Sequence, residues 1–201
     1  MKYLSVIAVA GLVLAGSAQA QTASNNQNNS SNIKAQLNAK IDNVTNDVSA
    51  TAAAIGNSFT ADGSSLNSLN NYQRFFGDAT SNLSTTITNV TGDVSATSAA
   101  IANTATVNTK WVGSVSNTQY VNYDPTAVLN ATVYNADKSV SATAAAISNS
   151  ATFTTDFGSL ASTQVNTAAV NAYANTTIGG VAGKVDATAA AIGNTLTVKG
   201  F

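Results

Sequence analysis

The fold turns on one stretch, Val48-Ser-Ala-Thr-Ala-Ala-Ala-Ile-Gly-Asn-Ser-Phe-Thr60. It returns as VSATSAAIANTAT over Val94–Thr106, as VSATAAAISNSAT over Val140–Thr152, and as VDATAAAIGNTLT over Val185–Thr197. The leading valines are 46, 46 and 45 residues apart. A fixed period of that length marks a repeat architecture, in which each unit covers its apolar surface only by stacking on its neighbours. Weaker similarity extends upstream, where Leu83, Ile87 and Val90 reappear as Leu129, Val133 and Ala136. Between blocks, Asn117–Asn122 is similar to Ser162–Asn166.

The block reads with two periods. With period 2, Ser49, Thr51, Ala53, Ile55, Asn57 and Phe59 share one face, and Val48, Ala50, Ala52, Ala54, Gly56, Ser58 and Thr60 the other. Both faces are small and uncharged, as a strand packed on both sides requires. With period 3.5, Leu37, Ile41, Val44, Val48, Thr51 and Ile55 form a heptad seam, repeated by Leu83, Ile87, Val90, Val94, Thr97 and Ile101. That is the pattern of a coiled-coil stalk, and it stands as the alternative.

Three observations favour strands. Thr85–Ser98 is crowded with β-branched residues and Asn and includes Gly92, each costing a helix between a few tenths and about 1 kcal/mol relative to Ala. The blocks 48–60, 94–106 and 140–152 carry no charge, whereas coiled-coil flanks use Glu and Lys to set pairing. Finally, 46 is not a multiple of seven, so a seam cannot run continuously through the repeats. The expectation is an all-β, β-solenoid-like stack in which equivalent residues of successive repeats lie about 4.8 Å apart. Stacked like charges would repel; stacked amides and small apolar groups would not. Asn57, Asn103, Asn149 and Asn194 are the expected amide ladder, and Ile55, Ile101, Ile147 and Ile192 the expected apolar column. A 46-residue unit fits two rungs of about 23 residues or a strand pair with a loop.

The 201-residue length fits one domain or one repeat array. Only 8% of residues are charged, with no Glu, His or Cys and a formal net charge of −1. Without His and Cys there is no zinc finger, disulfide framework or Ser-His-Asp or Cys-His catalysis. Near-neutrality gives no electrostatic basis for nucleic-acid binding. The expectation is a non-enzyme with no catalytic residue, no metal and no cofactor.

Met1–Ala20 reads as a signal peptide: Lys2, an apolar run over Tyr3–Leu14, and the small pair Ala18 and Ala20 before Gln21. The chain is expected to be exported from a Gram-negative-type bacterium and to begin, once processed, at Gln21. Gln21–Asn32 (QTASNNQNNSSN) has no apolar residue beyond Ala23 and is expected to be a disordered polar leader. The repeat domain is then 33–201.

The four blocks resemble secreted bacterial β-strand repeat proteins, both the curlin type of extracellular fibre subunit and proteins that anchor holdfasts on stalked bacteria. Curlin repeats are near half this length, and only Gln119 with Asn122 and Gln164 with Asn166 echo their Gln and Asn spacing. The resemblance implies a structural or adhesive cell-surface role: a self-assembling curli-like, amyloid-like fibre, a biofilm-matrix component or a holdfast anchor. The partners it implies are further copies of the chain, outer-membrane secretion or anchoring machinery, and a polysaccharide or abiotic surface. An outer-membrane β-barrel is a further alternative, suggested by the terminal Phe201 but not by the polar alternate positions Thr195, Thr197 and Lys199.

The nine acids are all Asp and read as solvated turn residues. Most of the aromatics fall between the blocks, and Arg74, Phe75, Phe76 and Trp111 are the candidate contact patch.

Overall fold

The structure, a computed structural model, describes residues 4–16 and 21–200. The strands are β1 (Leu4–Gly16), β2 (Gln21–Asn29), β3 (Ile33–Val44), β4 (Val48–Phe75) and β5 (Ala79–Val90). They continue as β6 (Val94–Val121), β7 (Thr126–Ala136), β8 (Val140–Asn166), β9 (Asn171–Val181) and β10 (Val185–Lys199). Every pairing is parallel. One sheet runs β1-β4-β6-β8-β10 with β2 also on β4; the other runs β3-β5-β7-β9. Alternating long and short strands that each pair one repeat onward make a β-solenoid. No helix is present among the described residues, so the coiled-coil stalk is not supported. The parallel ladder also differs from the antiparallel wall of a membrane barrel.

One 46-residue repeat is one full turn, which settles the choice left open between two rungs and one strand pair. Val48 stands on Val94, Val140 and Val185, and Leu83 on Leu129. Within a turn the chain runs out along 48–63 and returns along 65–90. The return is fixed by cross-turn contacts: the Asn57 side chain donates to the Arg74 carbonyl (2.8 Å), and Ser81 Oγ to the Ala52 carbonyl (2.8 Å). The last repeat is one residue shorter. The loss is absorbed at the outer bend, where the pairing shifts between Asn108 and Trp111, so the stacked faces on either side stay in register.

The interior of each turn is narrow, which explains the alanines. Ala50, Ala52 and Ala54, with their counterparts in β6 and β8, pack against Leu37, Leu83 and Leu129 from the second sheet. The outer lobe is filled by Phe59, Leu69, Val107, Val112 and Phe153, and the inner edge by Val48, Ile87, Val90 and Val94. Size is matched across the corner. Gly56 leaves room for Phe75, whose ring a Cβ there would meet at 2.6 Å, while one turn on Ala102 occurs with Val121.

The heptad-like spacing has a β explanation. Leu83 and Ile87 lie two strand periods apart on one face. Asn89, in the left-handed conformation (φ 54°), reverses the alternation so that Val90 also points inward, and the turn through Gly92 brings in Val94. Asn43 (φ 55°), Asn135 (φ 56°) and Gly180 (φ 63°) stand in the same column. Asn and Gly tolerate this backbone better than other residues do.

Two expectations are corrected. Gln21–Asn29, expected to be a disordered leader, is strand β2. It cannot bury enough apolar surface of its own, but Asn25 and Gln27 stand on Asn71 and Gln73, and those ladder bonds offset its ordering. The isoleucine column is in register but faces outward: Ile55, Ile101 and Ile147 are only partly buried and Ile192 is 36% exposed. The inner apolar column is the alanines. Of the N-terminal segment, Leu4–Gly16 is strand β1 on the edge of β4. The expected cleavage site at Ala18 and Ala20, and Phe201, lie outside the described residues.

Candidate functional site

The features with the clearest chemistry are polar columns running along the solenoid axis. At the corner after Gly56 the alternation breaks, and residues 56 and 57 both point inward. Asn57 Nδ2 donates to Asn103 Oδ1 (2.8 Å), Asn103 to Asn149 (2.9 Å), and Asn149 to Asn194 (2.8 Å). Each amide also donates across the turn to a carbonyl, of Arg74, Tyr120, Val165 or Gln164. The ladder residues of the sequence reading are therefore brought together, and Asn57, Asn103 and Asn149 each use both amide hydrogens.

Two further interior columns escaped the sequence reading. Asn25 donates to Asn71 (2.6 Å), Asn71 to Asn117 (2.7 Å), and Asn117 to Ser162 Oγ (2.9 Å). In the opposite sense, Gln164 donates to Gln119 (2.7 Å), Gln119 to Gln73 (2.8 Å), and Gln73 to Gln27 (2.9 Å). Their signal was present in the shared Asn-Thr-Gln and Ser-Thr-Gln phrases, but the matching residues of the first two turns lie in less similar surroundings. A fourth column, on the exposed edge, joins Asn135 to Asn89 and Asn89 to Asn43, both at 3.1 Å.

The acids cap backbone. Asp47 Oδ1 accepts from the Asp93 amide and Asp93 Oδ1 from the Ser139 amide, both at 2.9 Å; Asp124 Oδ1 accepts from the Ala169 amide at 2.9 Å. Lys184 and Asp186 form an exposed pair at 2.9 Å, and the hydrogen bond that the ammonium donates to the Asp186 carboxylate, aided by the carboxylate charge, holds Lys184 above the ordinary lysine pKa.

The candidate contact patch does not exist as a patch. Phe75 is fully buried in the core. Arg74 lies over the Phe76 ring at 4.4 Å. Trp111, 45% exposed, sits at the outer bend. Arg74 stands on Tyr120, nine residues of extended strand from Trp111, or roughly 30 Å. Neighbours in a strand point to opposite sides, so sequence adjacency did not make a shared surface. Other exposed aromatic area lies at Tyr123 in the bend before β7, Tyr134 in β7 and Tyr173 in β9.

The chain matches the family model of holdfast attachment protein D over residues 4–159, most of its length. No curated protein and no solved structure matches the chain significantly. The match supports the holdfast side of the resemblance and not the curlin side, and it brings with it a cell-surface, holdfast-anchoring role. With three of the four repeat blocks, 48–60, 94–106 and 140–152, inside the matched range, the chain belongs to the holdfast attachment protein D family.

Proposed function

We propose that the chain is an exported, non-enzymatic solenoid that ties a holdfast to the cell surface by self-association and by contact with an anchoring partner. The observation that carries this is the set of internal amide columns, continuous from the first turn to the last. They make the molecule stiff along one axis, and among the described residues the outermost strands of each sheet present edges, the surfaces through which β-structures add further strands. The residue set supports a non-catalytic role: with no His, Cys or Glu, the chain lacks the usual general bases and nucleophile activators. The apolar leader with small residues at Ala18 and Ala20 supports export.

The test is made on cells that form holdfasts. Deletion of the gene should leave cells that shed holdfast material under flow, and a protease added to intact wild-type cells should degrade the protein. Full retention of holdfast in the deletion strain, or complete protection from protease in intact cells, would reject the reading.

A further inference from the structure

Arg74 and Phe76, parted from Phe75 and Trp111, belong to a different cluster on the outward face of the return limbs. We propose that this cluster is a binding site for an acidic polysaccharide, in which Arg74 holds a sugar carboxylate while Tyr72, Phe76 and Tyr120 hold the faces of the sugar rings. The inference deepens the anchoring reading above, on which the choice of a polysaccharide as occupant rests.

Alternation along the strands assembles the cluster. Tyr72 and Arg74 point outward from β4 and Tyr120 outward from β6, while Asn71, Gln73 and Phe75 fill the interior between them. Arg74 stands on Tyr120 one turn on. The Tyr72 and Tyr120 rings lie with centroids 6.1 Å apart, tilted by 60°, and the Arg74 guanidinium lies over the Phe76 ring at 4.4 Å. Three rings therefore frame one cation, and all four side chains are half-buried. Asn26 and Asn28 of β2, both exposed, stand beside Tyr72 and Arg74. With β2 on one flank and β8 on the other, the face lies within the stack and owes nothing to its ends.

The electrostatics are one-sided. Arg74 is the only charged residue in 22–29, 65–76, 111–122 and 157–167. Among the described residues the ion pair is Lys184 with Asp186, so Arg74 has no carboxylate partner. The Phe76 ring fixes the guanidinium by cation–π attraction and leaves its five N–H donors without an oxygen acceptor. A cation held in place without an anion is complementary to a carboxylate, which its planar fork takes bidentately. The aromatic faces suit the C–H faces of sugar rings. The amides of Asn26 and Asn28 suit hydroxyls: Asn25 and Gln27 are committed to the interior columns, whereas their outward neighbours have no side-chain bond among the described residues. An acidic protein segment would call for several cations. One cation beside three rings and uncommitted amides fits a chain of sugars.

The experiment titrates the full chain, by calorimetry, with oligogalacturonate (a uronic-acid oligomer), with its methyl ester, in which the carboxylates are neutral, and with polyaspartate. The acid form should bind, less tightly as salt rises, and the ester and polyaspartate should bind more weakly by about tenfold or more. Arg74→Ala should lose about tenfold or more, and Arg74→Lys, which keeps the charge without the fork, should recover only part of that. Tyr173→Ala, at an exposed tyrosine on the other sheet, should bind as wild type. It is the Arg74 carbonyl, not its side chain, that takes the Asn57 bond, so both Arg74 variants should keep the wild-type urea midpoint. No binding of oligogalacturonate, equal binding of the ester or of polyaspartate, or a folded Arg74→Ala chain that binds as wild type would overturn the proposal. In cells, Arg74→Ala should fail to restore holdfast retention to the deletion strain. If it restores retention in full while binding is lost, the site's part in anchoring is overturned and the anchoring reading stands. If the deletion strain itself retains its holdfast, the anchoring reading fails and the binding results still decide the site.

Discussion

Asn103→Ala removes the central link of the first amide column. The side chain is fully buried. It accepts from Asn57 at 2.8 Å and donates to the Tyr120 carbonyl and Asn149 Oδ1, each at 2.9 Å. Three bonds at about 1 kcal/mol net each give about 3 kcal/mol. Asn57 keeps its bond to the Arg74 carbonyl, but the Tyr120 carbonyl loses its amide donor and Asn149 Oδ1 is left inside without one. Stranded acceptors raise the loss to about 3–5 kcal/mol, a large part of the roughly 5–15 kcal/mol that holds a domain together. Asn194→Ala is the control: that residue is exposed, accepts one ladder bond and makes one longer bond to the Gln164 carbonyl at 3.2 Å, so its loss should be about 1 kcal/mol. Equilibrium urea unfolding of both variants measures the difference. If Asn103→Ala lies within about 1 kcal/mol of wild type, or costs no more than Asn194→Ala, the columns do not stabilise the solenoid as argued.

Other substitutions test other parts of the turn. Ser148 Oγ is buried without a hydrogen-bond partner in the column where Gly56 and Ala102 stand in the first turns; Ser148→Ala should be neutral or stabilising by about 1 kcal/mol in thermal melts. Gly92 faces backbone of the preceding turn, where a Cβ would meet the Asn46 carbonyl carbon at 2.4 Å, so Gly92→Val should lower the melting temperature where Gly92→Ala lowers it less. The outward and inward faces of β6 should respond oppositely: Ile101→Lys within about 0.5 kcal/mol of wild type, Ala100→Lys failing to accumulate as folded protein. Asp186 raises the Lys184 pKa, so its favourable effect on the charged lysine is present at neutral pH and disappears as pH rises through the folded-state pKa. Asp186→Asn should move the Lys184 NMR titration downward, with no measurable change in unfolding midpoint for so exposed a pair.

The repeat was legible because stacking demands near-identical residues at equal spacing, and the Asn57 column with its three counterparts followed directly. Burial was less legible. Ser49–Ile55 and Val48–Ala54 are both small and uncharged faces, and hydrophobicity alone favoured Ile over Ala for the interior. What decides is the width of the turn, set by Leu37, Leu83 and Leu129 opposite, and that is a tertiary quantity. Gln21–Asn29 looked disordered because its partners, Asn71 and Gln73, are 46 residues away; a local window sees only the polar composition. The left-handed asparagines were visible in Asn43-Val44-Thr45 and Asn89-Val90-Thr91, but an Asn-rich chain hides the few asparagines whose backbone matters. Arg74, Phe75 and Phe76 were adjacent in sequence, and a strand separates adjacent side chains.

The stacking of whole turns has a mechanical consequence. A turn of 46 residues occupies about 4.8 Å of axis, yet the same residues pulled straight span about 150 Å. Tension applied between the two ends would peel the outermost turn first, since each turn is held only by its neighbour, and the released chain would lengthen some thirtyfold before the next turn bears load. Such a tether lets out slack in discrete steps and dissipates a sudden tug as broken ladder bonds, which can reform when the load falls.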